Sequence, residues 1–201
     1  MLFIISGPSG CGKSTLVKRV LEEMEDVDFS VSFTTRNKRE NEINGKDYFF
    51  VDRDEFEDMI EKDKFLEYAV VHKEYYGSAK KEVEKKSARK DLLLDIDVQG
   101  AQQIREKMKK AVFIFILPPV FAELKRRLEK RGQESPESIK KRLEEAKKEI
   151  RHYPDFDYII VNDDLEKALL KIKSIILSVR CRLDVSQKNI LPILRSFSDE
   201  S

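Results

Sequence analysis

The chain has no tryptophan, only two cysteines and two histidines, and no long apolar run. Cys11 and Cys181 lie too far apart to suggest a disulfide framework, so a reducing compartment, the cytoplasm, is expected. His72 and His152 stand alone, and no Cys/His spacing resembles a metal site. The N-terminal apolar run ends at Ser6, too short for a secretion signal, and Ala111 to Leu117 falls far below the ~20 residues of a membrane span. A surplus of one charge is missing as well, because 39 Lys and Arg against 38 Asp and Glu leave a net +1. That balance argues against nucleic acid or an anionic membrane as partner. Yet 38% of the residues are charged, above the ~25% of average usage, and the two signs interleave as solvated helix faces. A length of 201 residues suits one domain with a sizeable core.

Glycine is also scarce, but Gly7, Gly10 and Gly12 fall in one short run. That run, Gly7-Pro8-Ser9-Gly10-Cys11-Gly12-Lys13-Ser14-Thr15, follows the apolar segment Leu2-Phe3-Ile4-Ile5 and precedes a helical pattern. The spacing G-x-x-x-x-G-K-S/T between a strand and a helix is that of a phosphate-binding loop. Its glycines permit positive φ, so successive N–H groups converge on one anion, and the helix N-terminus adds partial positive charge. Lys13 would reach the β- and γ-phosphates, and the Ser14 hydroxyl would be a ligand to Mg²⁺. Cys11 occupies a variable position and reads as a small filler. A glycine-rich turn that binds nothing would match the same pattern, but its place after a buried strand argues for a nucleoside triphosphate site.

Dense apolar runs recur at Leu2 to Ile5, Phe29 to Phe33, Leu92 to Ile96, Val112 to Leu117 and Tyr158 to Val161. Runs without polar alternation predict strands buried on both faces, as in a parallel sheet between helices. Helical spacing separates them over Thr15 to Met24, from Pro136 toward Tyr153 behind an N-capping Ser135, and over Leu165 to Leu183. The alternation predicts a three-layer α/β fold. Residues 34 to 88 break it. Asn44-Gly45 predicts a hairpin turn, Asp52 and Glu55 a capped helix carrying Phe56, Met59 and Ile60, and Leu66 to Val71 a strand. A small mixed lobe inserted in the core is expected. The tail after Leu183 carries Ile190, Leu191, Ile193, Leu194 and Phe197, a pattern that predicts docking on the core.

The inserted lobe holds the residues that suggest a second substrate. Arg36 and Arg39 follow an apolar run, and guanidinium forks bind phosphate oxygens in a bidentate way. Tyr48 and the pair Tyr75-Tyr76 could donate hydroxyl hydrogen bonds to the same anion. Each arginine taken singly reads equally well as a solvated charge. Glu67 stands inside an apolar strand, where an unpaired carboxylate costs several kcal/mol. A carboxylate can accept from guanine N1–H and its 2-amino group together, a donor pair adenine lacks, so Glu67 would favour guanine. The other reading places Glu67 on the wet face of a half-exposed strand.

The segments GPSGCGKST, SVSFTTRNKR, NGKDYFF, FLEY, YYGS, LLLDIDVQGA and VNDDL, in this order across nearly the whole chain, resemble the guanylate kinase family. The resemblance implies a P-loop NTPase fold with a mainly parallel central sheet over 1–33, 89–122 and 155–183. It further implies a GMP-binding lobe over 34–88, a helical lid over 123–154 and a C-terminal tail over 184–201. Ser32, Glu67, Ser78 and Asp97 would hold the guanine base, and Arg36, Arg39, Tyr48 and Tyr76 the GMP phosphate. Asp95 would join the Mg²⁺ shell; by strand periodicity it shares a face with Asp97, and either could instead be a strand-end turn residue. Arg127, Arg131 and Arg142 match the lid arginines, whereas Arg126 reads as a helix-surface charge. Asn162 would lie near the adenine end of ATP. Asn37-Lys38 stands where the family often has a proline, which leaves Arg36 and Arg39 in place.

The implied reaction is transfer of the γ-phosphoryl group of Mg-ATP to GMP, and by extension dGMP. ATP and GMP are the expected small-molecule partners, and a monomer or homodimer the expected state. Two alternatives remain. One is a non-catalytic guanylate-kinase-like binding module, which would be expected to have a degraded phosphate loop. The other is a kinase for a different nucleoside monophosphate, opposed by Glu67 and Ser32.

Overall fold

The apolar runs without alternation assemble into one parallel sheet in the computed structural model, which describes residues 1–130 and 136–198. In chain order the elements are β1 (Leu2–Ser6), α1 (Lys13–Glu23), β2 (Val27–Phe29), β3 (Phe33–Thr34), β4 (Phe49–Phe50) and α2 (Arg53–Glu61). Next come β5 (Phe65–Val71), β6 (Glu74–Ala79), α3 (Lys80–Ser87), β7 (Asp91–Asp95), α4 (Val98–Lys107) and β8 (Val112–Leu117). The chain continues with α5 (Phe121–Lys130), α6 (Pro136–Glu149), a 3-10 helix (Ile150–Asp155), β9 (Tyr158–Val161), α7 (Leu165–Arg180) and α8 (Leu183–Ser198). The sheet order is β2-β7-β1-β8-β9, and every pairing in it is parallel.

Both faces of this sheet are covered over β1, β7 and β8, which is why those strands need no polar alternation. The edge strand β9 buries only Ile160 and leaves Tyr158, Ile159 and Val161 exposed, against the expectation of burial on both faces. Phe3 and Ile5 of β1 point to the side closed by α1 and α7, where Leu16, Val17, Leu169 and Ile172 join the cluster. Leu2 and Ile4 point to the other side, against Val83 of α3 and Ala101 and Ile104 of α4. The fold is therefore the expected three-layer α/β arrangement. β1 lies between β7 and β8, so the loop leaving its C-terminal end opens at the point where the chain switches direction across the sheet, the usual ligand crevice.

A second sheet, ordered β4-β3-β6-β5, forms the inserted part. The run Phe29 to Phe33 does not make one strand. Phe29 ends β2 in the first sheet and Phe33 begins β3 in the second, so the run is the bridge between them. Nor does Asn44-Gly45 close a hairpin. Gly45 turns with φ of 78°, but β4 pairs with β3 in parallel and Asn44 Oδ1 accepts from the Phe50 N–H at 2.9 Å. The hairpin signal was captured by a local turn, and the true hairpin is β5–β6, folded over His72 and Lys73. The Asp52 cap forms as expected, with Glu55 N–H donating to Oδ1 at 2.7 Å, and α2 buries Phe56 and Met59. The N-capping role expected of Ser135 lies outside the described residues.

Helices α5 and α6 share a small core of their own, Leu124, Leu128, Leu143 and Ala146. The regular helix opened at Pro136 stops at Glu149 and continues to Asp155 as a tighter 3-10 turn with Pro154 inside it. The tail is the main departure from the sequence pattern. It forms helix α8, which touches α7, but among the described side chains Leu183, Leu191, Ile193, Leu194 and Phe197 stay exposed, Phe197 at 75%, so the apolar face expected to dock is not buried in the core.

Candidate active site

The phosphate loop is shaped by contacts that leave no room for side chains at its glycines. Gly7 has φ of 140°, and a Cβ there would stand 2.2 Å from the Ile116 carbonyl oxygen. Gly12, left-handed at φ of 99°, caps α1 without a side-chain hydrogen bond, so the first N–H groups of that helix remain for a ligand. Cys11 is fully buried in the main core and burial pushes its thiol up, which fits the filler reading. Lys13 Nζ donates to the Gly7 carbonyl at 2.6 Å, lying along the loop. Burial opposes the charge on Lys13, but Cys11 and the carboxylates of Asp95, Glu149 and Asp97 hold its pKa above the ordinary value. Ser14 Oγ donates to Asp95 Oδ2 at 3.1 Å, bringing a hydroxyl and a carboxylate together at the end of the loop.

Asp95 and Asp97 do not share a strand face. β7 ends at Asp95, and Asp97 is the N-cap of α4, accepting from Gly100 N–H at 2.9 Å. The strand ends two residues before Asp97, so the period of two does not reach it. Asp95 meets the loop through Ser14, whereas Asp97 caps α4 beside Gly100 and the Glu67 carboxylate.

Glu67 is 3% exposed, which excludes the wet-face reading. It pairs with Ser78 across the β5–β6 ladder, where a register shift between Phe65 and Glu67 marks a bulge. Phe65 joins the lobe core with Phe56, while Glu67 turns to α4, where a Cβ on Gly100 would stand 2.3 Å from its Oε2. Burial pushes the Glu67 carboxyl up to about 7. Glu67 Oε1 and Ser78 Oγ are both buried without a hydrogen-bond partner, and Ser32 is buried close to the same sheet. Polar atoms left this way cost free energy unless something completes them. Gln103 of the same helix α4 ties down the strand next to Glu67, donating to the Tyr68 carbonyl at 2.6 Å and accepting from its N–H at 3.2 Å.

Arg36, Tyr48 and Tyr76 come together. The Arg36 guanidinium carbon is 5.4 Å from the centre of the Tyr48 ring, and the Tyr48 and Tyr76 rings are 5.8 Å apart. Burial pushes the Tyr48 hydroxyl well above the ordinary tyrosine value, so it stays protonated and able to donate. Tyr75 points elsewhere: it stacks on Phe56 at 5.0 Å and its hydroxyl donates to Glu57. The alternation of β6 separates the pair, so only Tyr76 faces the arginine. Glu42, unmarked by any sequence signal, receives Arg36 Nη2 at 2.7 Å and the main-chain N–H of the exposed Arg39 at 2.9 Å.

Arg127 ties α5 to the loop. Its guanidinium donates to Glu123, to the Cys11 carbonyl at 3.2 Å and to the Asn162 carbonyl at 3.0 Å. Asn162 is buried and donates from Nδ2 to the same Cys11 carbonyl at 2.8 Å. Arg126 lies on the helix surface against Glu123, whose carboxyl Arg126 and Arg127 hold down to about 2. Arg142 sits on α6, half-buried, and Arg131 lies outside the described residues. Gly10 packs under Leu124 and Leu128, so α5 rests directly on the loop. Among the described residues no helix is long and apolar enough to cross a membrane, and no three His, Cys, Asp or Glu side chains converge as a metal site.

The family model for guanylate kinase matches residues 1–179. A guanylate kinase of Clostridium perfringens is 47% identical over 192 residues, covering 95% of this chain and 89% of the relative. One from Escherichia coli is 50% identical over 185 residues, covering 90% and 89%. The crystal structure of guanylate kinase from Anaplasma phagocytophilum superposes with a TM-score of 0.76 at 35% identity, covering 90% of this chain and 87% of that one. With a matched family model over most of its length, this chain belongs to the guanylate kinase family.

Proposed function

We propose that this protein transfers the γ-phosphoryl group of Mg-ATP to GMP, and to dGMP, giving ADP and GDP, and so serves purine nucleotide recycling and GTP supply in the cytoplasm. The observation that carries this reading is the pairing, in one molecule, of an intact phosphate loop with a buried carboxylate whose Oε1 lacks a partner beside an equally unpartnered Ser78 hydroxyl. Guanine N1–H and its amino group are donors that match Glu67. The intact Gly7 to Thr15 loop speaks against the alternative of a non-catalytic binding module.

In this reading the residues divide as follows. Gly7, Pro8, Ser9, Gly10, Cys11, Gly12, Lys13, Ser14 and Thr15 cradle the donor phosphates, and Asn162, expected near the adenine end of ATP, donates to the Cys11 carbonyl of the same loop. Ser14 and Asp95 supply hard oxygens of the kind Mg²⁺ prefers, and two protein ligands suffice because phosphates and water complete its shell. Bound there, Mg²⁺ would supply positive charge against the phosphoryl oxygens. Ser32, Glu67, Ser78 and Asp97 hold the base, and Arg36, Arg39, Tyr48 and Tyr76 hold the acceptor phosphate. Arg127, Arg131 and Arg142 of the lid (residues 123–154) close over the donor.

The acceptor is already an anion, so no general base is required. The barrier is the approach of two anions in line, which fixed positive charge and exclusion of water lower. Lys13 and the lid arginines neutralise the donor, and Arg36 and Arg39 the acceptor. Lys13→Ala removes a contact of this kind and is expected to reduce GMP-dependent ADP formation by at least ~10²-fold with an unchanged circular dichroism spectrum. Near-normal turnover in that variant would refute the assigned role of the loop.

A further inference from the structure

Glu149, the last residue of α6, does not point to solvent. Its Oε2 accepts a hydrogen bond from the Ser9 N–H of the phosphate loop at 3.3 Å. The carboxylate is thus on a main-chain donor of the kind that the loop geometry aims at a phosphate oxygen. It is close enough to Lys13 for each group to influence the charge of the other. One turn earlier on the same helix, Glu145 Oε2 pairs with His72 Nδ1 at 2.8 Å, at the tip of the β5–β6 hairpin. α6 is therefore tied to the loop by one carboxylate and to the inserted lobe by another. Between them runs a cleft of about 250 Å³ lined by His72, Asp97, Gln99, Glu145 and Glu149.

Neither contact is explained by the reaction itself. A carboxylate beside the γ-phosphoryl path would repel the donor, so Glu149 is not one of the groups that stabilise transfer. We propose that Glu149 is an internal anion that competes with the phosphates of ATP for the phosphate loop and thereby sets the donor affinity of the nucleotide-free enzyme. Binding of the triphosphate, with its greater charge, displaces Glu149 from Ser9 and frees the end of α6. The cost of that displacement lowers the apparent affinity for ATP, as for any ligand whose competent state is only part of the ensemble. The inference rests on the phosphate-loop reading given above.

The test is calorimetric titration of the full-length enzyme with ATP, without GMP, in Mg²⁺ and again in EDTA. Glu149→Gln removes the charge and is expected to tighten ATP binding at least about fivefold in both conditions. Glu149→Asp withdraws the carboxylate by one methylene and is expected to shift the Kd in the same direction, so the inference is testable even if one variant folds poorly. An unchanged or weaker Kd in the folded variants would overturn it, and so would weakening confined to Mg²⁺, which would make Glu149 a group that supports the metal. GMP-dependent ADP formation by the unaltered enzyme is assayed in parallel. Its absence alongside normal ATP binding counts against the proposed reaction, whereas the Kd comparison judges Glu149 alone.

Discussion

Glu67 carries the most chemistry per atom in this protein, because its environment pulls in two directions. The folded state holds its carboxyl near 7, against 4.5 for an ordinary glutamate. Between those values the folded chain keeps a proton that the unfolded chain has released. Stability of the nucleotide-free protein therefore falls as pH rises from ~4.5 to ~7, by up to ~3 kcal/mol, and levels off above. Glu67→Gln removes this slope, so the variant is expected to resist urea better than the unaltered protein at pH 8, with the two converging toward pH 5. The same variant loses the charged acceptor for guanine, and its kcat/KM for GMP is expected to fall about 10²-fold. Equal urea midpoints at pH 8, or undiminished use of GMP, would contradict these roles. Glu67 was conspicuous in the sequence because a carboxylate inside an apolar strand demands a reason. Gly100, whose missing side chain makes space for that carboxylate, was not conspicuous. Nor were Glu42 and Glu149, since a glutamate in a charged segment looks the same whether it faces water or a phosphate loop.

The elements that sequence reveals are those set by local pattern. β1, the loop and α1 follow from one apolar run and one spacing, and the α2 cap from two residues three apart. Elements that depend on partners distant in the chain were harder to see. The bulge that turns Glu67 away from Phe65 exists only through pairing with β6, and the short strands β3 and β4 exist only as neighbours of each other and of β6. Asp97 left the strand because its side chain caps α4, a local competition that outweighed the period of two. Helix α8 shows the reverse failure, since its apolar pattern is helical but Leu191, Ile193, Leu194 and Phe197 stay exposed. It also lies beyond the residues matched by the family model. Removing residues 183–201 is accordingly expected to leave turnover within about twofold and to lower Tm by no more than ~2–4 °C, the shift that ~1 kcal/mol produces at this size. Loss of activity on truncation would show that α8 supports the site.

At the level of the molecule, the parallel sheet fixes the phosphate loop, the second sheet holds the buried Glu67 carboxylate, and α5 and α6 both touch the loop, at Gly10 and Ser9. Charge is distributed to match. The net charge is only +1, yet Lys13 and Arg127 are gathered on the loop and Arg36 beside Tyr48 of the inserted lobe, where the proposed reaction needs phosphate charge neutralised. In the proposed function these parts act on one pair of substrates, with Glu67 choosing guanine. ADP formation from Mg-ATP, with GMP, AMP, UMP and CMP offered separately as acceptors, tests it most directly. Turnover confined to GMP is the predicted result, and equal turnover with AMP, or none with any acceptor in a folded protein that binds ATP, would contradict it.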